Sequence, residues 1–248
     1  MCRMHPCLLV LFSLQAAAPV DTIRIEVGSK QLDGRVYAPH AARVQVRLDD
    51  SARIVSTWTN ELTLGDSAGR PVMRWVSKSA TWELRQIYDA QTLAPLSYVL
   101  TATDGGWARL TLEGRRVRGT RRGPGDTAAV QQVDVTLDRP GFFAGASDLV
   151  PLAVQGGLKA GAVITAPVWS PGMTAAEGRI FTTVGRDAVD VEGTRIEAWK
   201  VEERRQSDRV LLATWWLLDK SPYMVYGEVP LPSGRVRKMT EVEIPRPL

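Results

Sequence analysis

Few residues in this chain have the type and spacing needed for acid–base or nucleophilic chemistry. His40 lies in Ala38-Pro39-His40-Ala41, with no serine, cysteine or carboxylate spaced to form a proton relay. Gly145-Ala146-Ser147-Asp148-Leu149 opens like a nucleophile elbow, but the second glycine and the surrounding α/β pattern are missing. Ser147 reads instead as a helix cap. Asp187, Asp190 and the nearby Glu192 could serve as an acid–base set, as glycosidase carboxylates do, although charged turn residues are far commoner. Glu202-Glu203 are placed to pair with Arg204-Arg205. Asp49-Asp50 is the only adjacent acidic pair near His40, which is too little for a metal centre. The glycines of Gly119 to Gly125 alternate with arginine and proline and open no helix, so they form no phosphate cradle. The expectation is a non-enzymatic protein with no cofactor and no metal.

The aromatic residues carry more information. Trp58, Trp75, Trp82, Trp107, Trp169, Trp199, Trp215 and Trp216 all fall in or beside strand-like segments, in a chain with only four phenylalanines. A buried indole must hide its rings and still satisfy one N–H. Ordinary sheet core accounts for this, and so does an apolar groove with tryptophans at its rim. The groove candidates are Trp58, Trp75, Trp82, Trp107, Trp199, Trp215 and Trp216, with Leu149 and Leu152. Adjacent Trp215 and Trp216 must point to opposite faces of a strand, so one of them needs a covering element, a membrane or a partner. Arg115, Arg116, Arg118, Arg121 and Arg122 make the one dense basic cluster, before a Gly123-Pro124-Gly125 turn. It reads as a solvated edge hairpin or as a patch for anionic headgroups or an acidic partner.

The elements that must position these residues are strands. Arg43 to Leu48 and Val133 to Leu137 alternate apolar and polar side chains, which places one face on a core and the other in water. Similar segments recur from Thr22 to Ile244, separated by turn sequences such as Asp104-Gly105-Gly106 and Pro232-Ser233-Gly234. Such short links favour antiparallel meanders. Ala80-Thr81-Trp82, Pro95 and Gly106-Trp107 are echoed by Ala213-Thr214-Trp215, Pro222 and Gly234-Arg235, weak support for two half-sheets. One short, mostly apolar helix is expected from Ser147 as N-cap to Gly156-Gly157, buried across the sheet.

At the N-terminus, Arg3 precedes the apolar run Cys7 to Leu14 and the small residues Ala16-Ala17-Ala18, the pattern of a signal peptide cut near Ala16 to Ala18. The run is too short to span a bilayer, so no transmembrane span is expected. Both cysteines, Cys2 and Cys7, lie in that segment, and the remaining chain needs a core without disulfides. The net charge of +4, from 31 basic and 27 acidic residues, gives no general reason to expect nucleic acid.

Leu149-Val150-Pro151-Leu152 with Gly161, Val184 to Val189, Gly193 to Val201, Trp215 or Trp216, and Pro222 resemble the DUF3108-like extracytoplasmic proteins over about residues 145 to 245. Gly193, Thr194, Ala198, Val201, Trp215 and Pro222 occupy the places of that family's glycine-led strand, tryptophan strand and proline. The resemblance implies a mainly β fold: a strongly curved antiparallel sheet, a half-barrel or open barrel similar to the LolA and LolB carriers, with one short helix packed against it. It implies no enzymatic activity. The expected organisation is a signal peptide (1–18) and one curved β domain (19–248), divisible into half-sheets 19–140 and 141–248. The expected location is the periplasmic or extracellular side of the cell envelope. The expected partner is a lipid or lipoprotein acyl chain in a groove; the rival is an envelope protein that meets a module whose core is filled.

Overall fold

The computed structural model describes residues 22–244 except 50 and 126, so the expected signal peptide lies outside the described residues. Sixteen strands are found among them: β1 (Thr22–Arg24), β2 (His40–Leu48), β3 (Ile54–Ser67), β4 (Arg70–Lys78), β5 (Trp82–Asp89), β6 (Pro95–Ala102), β7 (Trp107–Glu113), β8 (Arg116–Arg122), β9 (Val130–Thr136), β10 (Phe142–Phe143), β11 (Val163–Trp169), β12 (Glu177–Val191), β13 (Thr194–Arg205), β14 (Leu211–Leu217), β15 (Met224–Pro230) and β16 (Val236–Glu243). They form one open sheet of two antiparallel meanders, β11 to β16 and β2 to β9. The meanders join where β16 pairs with β2, from Arg237 opposite Leu48 to Glu243 opposite Ala42. Two pairings depart from the antiparallel expectation, since β1 and β10 both lie parallel to β11.

Alternation decides which face is inside. In β7, Ala108, Leu110 and Leu112 are buried while their neighbours are not, and β2 buries Ala42, Val44 and Val46 in the same way. The sheet is strongly curved, because strands from its two ends share one core: Val117 and Leu137 from one end pack with Ile164 and Phe181 from the other. The short helix α1 (Val150–Ala153) lies inside this curve, with Val150 and Ala153 in the core.

The helix begins later than the sequence suggested. Residues Ala144–Leu149 form a 3₁₀ segment and α1 starts after Leu149, with no side-chain cap. Ser147 is therefore not its N-cap. Pro151 explains the start: its fixed φ and missing N–H suit the first turn of a helix and no later position.

A second difference concerns Asp187 and Asp190, expected in a turn but found within the 15-residue strand β12. The register of β12 against β13 slips between Thr183 and Gly185, and Gly185 has φ +155°, so the strand carries a bulge there. Beyond it, Val189, Val191 and Ala198 pack with Trp216 and Val225 in a separate cluster. The end of this hairpin is the covering element that Trp216 required, and the Arg43–Glu192 ion pair at 3.2 Å ties its tip to β2.

Gly119 shows how closely the strands fit. Its φ is +144°, and a Cβ there would stand 2.0 Å from the Arg109 carbonyl oxygen on β7. Gly114, at φ +59°, has open space around it. Gly119→Ala is expected to cost about 2–3 kcal/mol in urea unfolding, against about 1–2 kcal/mol for Gly114→Ala, where only the left-handed conformation is strained. Equal losses would show that the close approach is unimportant.

Candidate ligand-binding cleft

The inward faces of β3, β4, β5 and β14 bring Trp58, Trp75, Trp82 and Trp215 to one cleft of about 360 Å³. The register requires this convergence. Trp75 pairs with Gln86 on β5 and Leu62 on β3, so the tryptophans at 58 and 82, an even number of residues from those partners, share its face. Trp58 and Trp82 meet with ring centroids 5.9 Å apart, tilted by 52°. Leu84, Leu212, Met224, Val229 and Met239 supply further apolar wall, and Ala144 and Gly145 of the 3₁₀ segment also border the space.

Each of three indole N–H groups in this cleft is satisfied by a fixed polar partner. Trp58 Nε1 donates to Asn60 Oδ1 at 3.1 Å, and Trp75 Nε1 donates to Ser77 Oγ at 3.0 Å. Ser77 Oγ donates in turn to Asn60 Oδ1 at 2.8 Å, and Asn60 Nδ2 donates to Glu241 Oε1 at 3.1 Å. Trp215 Nε1 donates to Glu203 Oε2 at 2.9 Å. Glu203 is only 3 % exposed and also faces Arg179, whose Nη1 lies 3.4 Å from Oε1 and whose Nη2 lies 2.6 Å from Glu177. The result is an aromatic surface backed by a satisfied polar network, which holds the rings in place without requiring their N–H groups to face a ligand.

Gly227 sets the position of Trp215. It lies opposite Trp215 on β15, and a Cβ there would fall 2.8 Å from Cε3 and Cζ3 of the indole and 3.2 Å from Met239 Cε. The ring therefore occupies the space that any other residue would fill.

The other candidates lie elsewhere. Trp216 is buried on the opposite face, where its Nε1 donates to Asp187 Oδ2 at 3.2 Å and the Lys200 ammonium sits 5.3 Å from its ring. Trp199 lies beneath the Arg186 guanidinium at 4.3 Å, and Trp107 has Arg109 at 5.5 Å. Leu149 is core and Leu152 packs against it, outside the cleft lining. The basic cluster is divided between faces and partners. Arg116 and Arg118 share Asp134, Arg121 donates to Gln131, Arg122 donates to the Gly105 carbonyl and Arg115 to the Asp138 carbonyl.

The sequence reading missed Asn60, Ser77, Arg179, Gly227, Arg237 and Glu241, and it paired Glu203 with its sequence neighbours. Glu202 does pair with Arg204, at 2.9 Å, whereas Glu203 faces Arg179 from the adjacent strand. A signal for two of the missed residues was present: Asn60 and Ser77 each follow a tryptophan by two positions, the spacing that keeps side chains on one strand face. Among the described residues no group of three or more His, Cys, Asp or Glu is placed to hold a metal, and no helix is long and apolar enough to cross a membrane.

Comparison with known proteins places the chain by family. No curated protein matches it. A beta-barrel-like protein of the domain of unknown function DUF1849 from Brucella abortus aligns at 11% identity over 85% of this chain and 97% of its own, with a TM-score of 0.49. The hypothetical lipoprotein YmcC from Escherichia coli aligns at 13% identity over 82% and 86%, with a TM-score of 0.33. The resemblance noted over residues 145–245 extends well into the first half, because the family described as "Protein of unknown function (DUF3108)" matches residues 36–240, and the chain belongs to that family.

Proposed function

We propose that this protein is a non-enzymatic, exported envelope protein that binds a hydrophobic molecule, such as a lipid or lipoprotein acyl chain, in the tryptophan cleft. The observation that carries the reading is the convergence of Trp58, Trp75, Trp82 and Trp215 on one open space of about 360 Å³. That volume lies at the small end of the range for small-molecule pockets, roughly 300–1,000 Å³. Indole faces and aliphatic walls gain about 0.8 kcal/mol for each methylene they take from water, so useful affinity needs no charged contact. The satisfied network behind the rings supports the same reading, since a preformed wall avoids the cost of ordering side chains when a ligand enters.

Titration with the neutral apolar dye Nile red tests the proposal. One dye per chain is expected to bind with a blue-shifted emission, with affinity at least tenfold weaker in Trp82→Ala and Trp215→Ala and unchanged in Arg118→Ala. A folded wild-type protein that takes up no dye would instead favour the rival interaction module, in which no space is open to a ligand.

A further inference from the structure

We infer that the cleft accepts a single-chain amphiphile with an anionic headgroup, oriented tail inward, and that Arg237 at the rim is the residue that recognises the head. This inference rests on the cleft reading above and adds the chemical class of the ligand to it.

The inward side chains of β16 form a gradient. Arg237 is exposed, Met239 is 7 % exposed and Glu241 is 2 % exposed, and all three line the cleft, so the strand runs from its mouth to its floor. The two guanidinium groups in the lining have different commitments. Arg179 is held between Glu177 and Glu203, whereas Arg237 makes no side-chain hydrogen bond or ion pair among the described residues. A positive charge therefore stands at the mouth, where water can still solvate a headgroup. The buried part of the lining holds Glu203, already paired with Arg179, and Glu241, which accepts from Asn60, so it offers an anion no uncommitted cation. This charge order fixes the ligand's direction: head at the rim, chain among the indoles. The volume of about 360 Å³ limits the chain. At roughly 30 Å³ per water-sized group, it holds about a dozen such groups, enough for one chain of moderate length and too few for several.

Calorimetric titration of the full chain with three decyl compounds below their micelle concentrations tests this at low salt. Decanoate is expected to bind roughly fivefold more tightly than decanol or decyltrimethylammonium, the size of effect an exposed charge pair supplies. The preference should shrink at high salt. Arg237→Gln should reduce it to within twofold while leaving decanol unchanged, and Arg118→Gln should leave both as they are. Acetate and inorganic phosphate, heads without chains, should not bind at the same concentrations. Equal binding of all three decyl compounds would overturn the headgroup assignment and leave the cleft reading intact, as would an Arg237→Gln variant that keeps the preference. Tightest binding of decyltrimethylammonium would assign the floor carboxyls as the recognition element and overturn Arg237. Binding of phosphate alone would overturn the amphiphile. Failure of every decyl compound to bind would remove the cleft reading itself.

Discussion

Replacing Glu203 with alanine is expected to destabilise the protein by about 2–4 kcal/mol, measured from urea unfolding followed by tryptophan emission. Glu203 is 3 % exposed, accepts from Trp215 Nε1 at 2.9 Å and faces Arg179 Nη1 at 3.4 Å. Its removal strands an indole N–H and leaves a largely buried guanidinium with Glu177 as its remaining partner. Breaking a buried ion pair by deleting one member costs about 3–5 kcal/mol, and the surviving Glu177 contact reduces that here. Glu203→Gln keeps an acceptor for the indole and is expected to lose only about 1–2 kcal/mol. A loss below about 0.5 kcal/mol for the alanine variant, typical of a surface position, would mean that the network does not hold the cleft wall.

The second large effect is expected at Gly227, a residue with no reactive atom. A valine there cannot coexist with the Trp215 ring, because even a Cβ would approach two of its carbons at 2.8 Å. The indole must leave its seat and give up its bond to Glu203. Gly227→Val should therefore weaken ligand binding at least tenfold and lower stability by about 1–3 kcal/mol, the usual range for overpacking. Trp215→Ala opens the same space, so the double variant should be more stable than the sum of the two single losses predicts. Additive losses would show that the glycine and the ring do not compete for one volume.

Much of the fold could be read from the chain because its signals are local. Alternation in Arg43 to Leu48 gave β2 its buried face, and short turn sequences such as Pro232-Ser233-Gly234 gave antiparallel neighbours. Adjacent strand residues face opposite ways, and Trp215 accordingly lines the cleft while Trp216 is buried beyond it. What covers Trp216 was not legible, because the cover depends on a bulge at Thr183 to Gly185 that turns the end of the β12–β13 hairpin over the outer face. The helix start was misread for a related reason. A serine followed by an aspartate is a good cap on local grounds, but Pro151 places the first helical turn after it.

The cleft was legible only in part. Four of the seven tryptophans named as groove candidates converge, and the other three lie outside it. Residue type could not separate them, since Trp82 and Trp107 both occupy strands and differ in the face they present. The meeting of Asn60 with Glu241 spans 181 residues and depends on β16 pairing with β2, a closure that no turn sequence announces. Arg179 and Glu203 are likewise brought together by strand register across β12 and β13.

Whether the tryptophan cleft holds a hydrophobic ligand can be read from mass spectrometry of solvent extracts. The full chain would be produced with export, purified from the envelope without detergent and compared with an unrelated exported protein. About one hydrophobic molecule per wild-type chain is expected, and its loss from Trp82→Ala and Trp215→Ala. Extracts indistinguishable from the control, from a protein shown to be folded, would contradict ligand binding in the cleft.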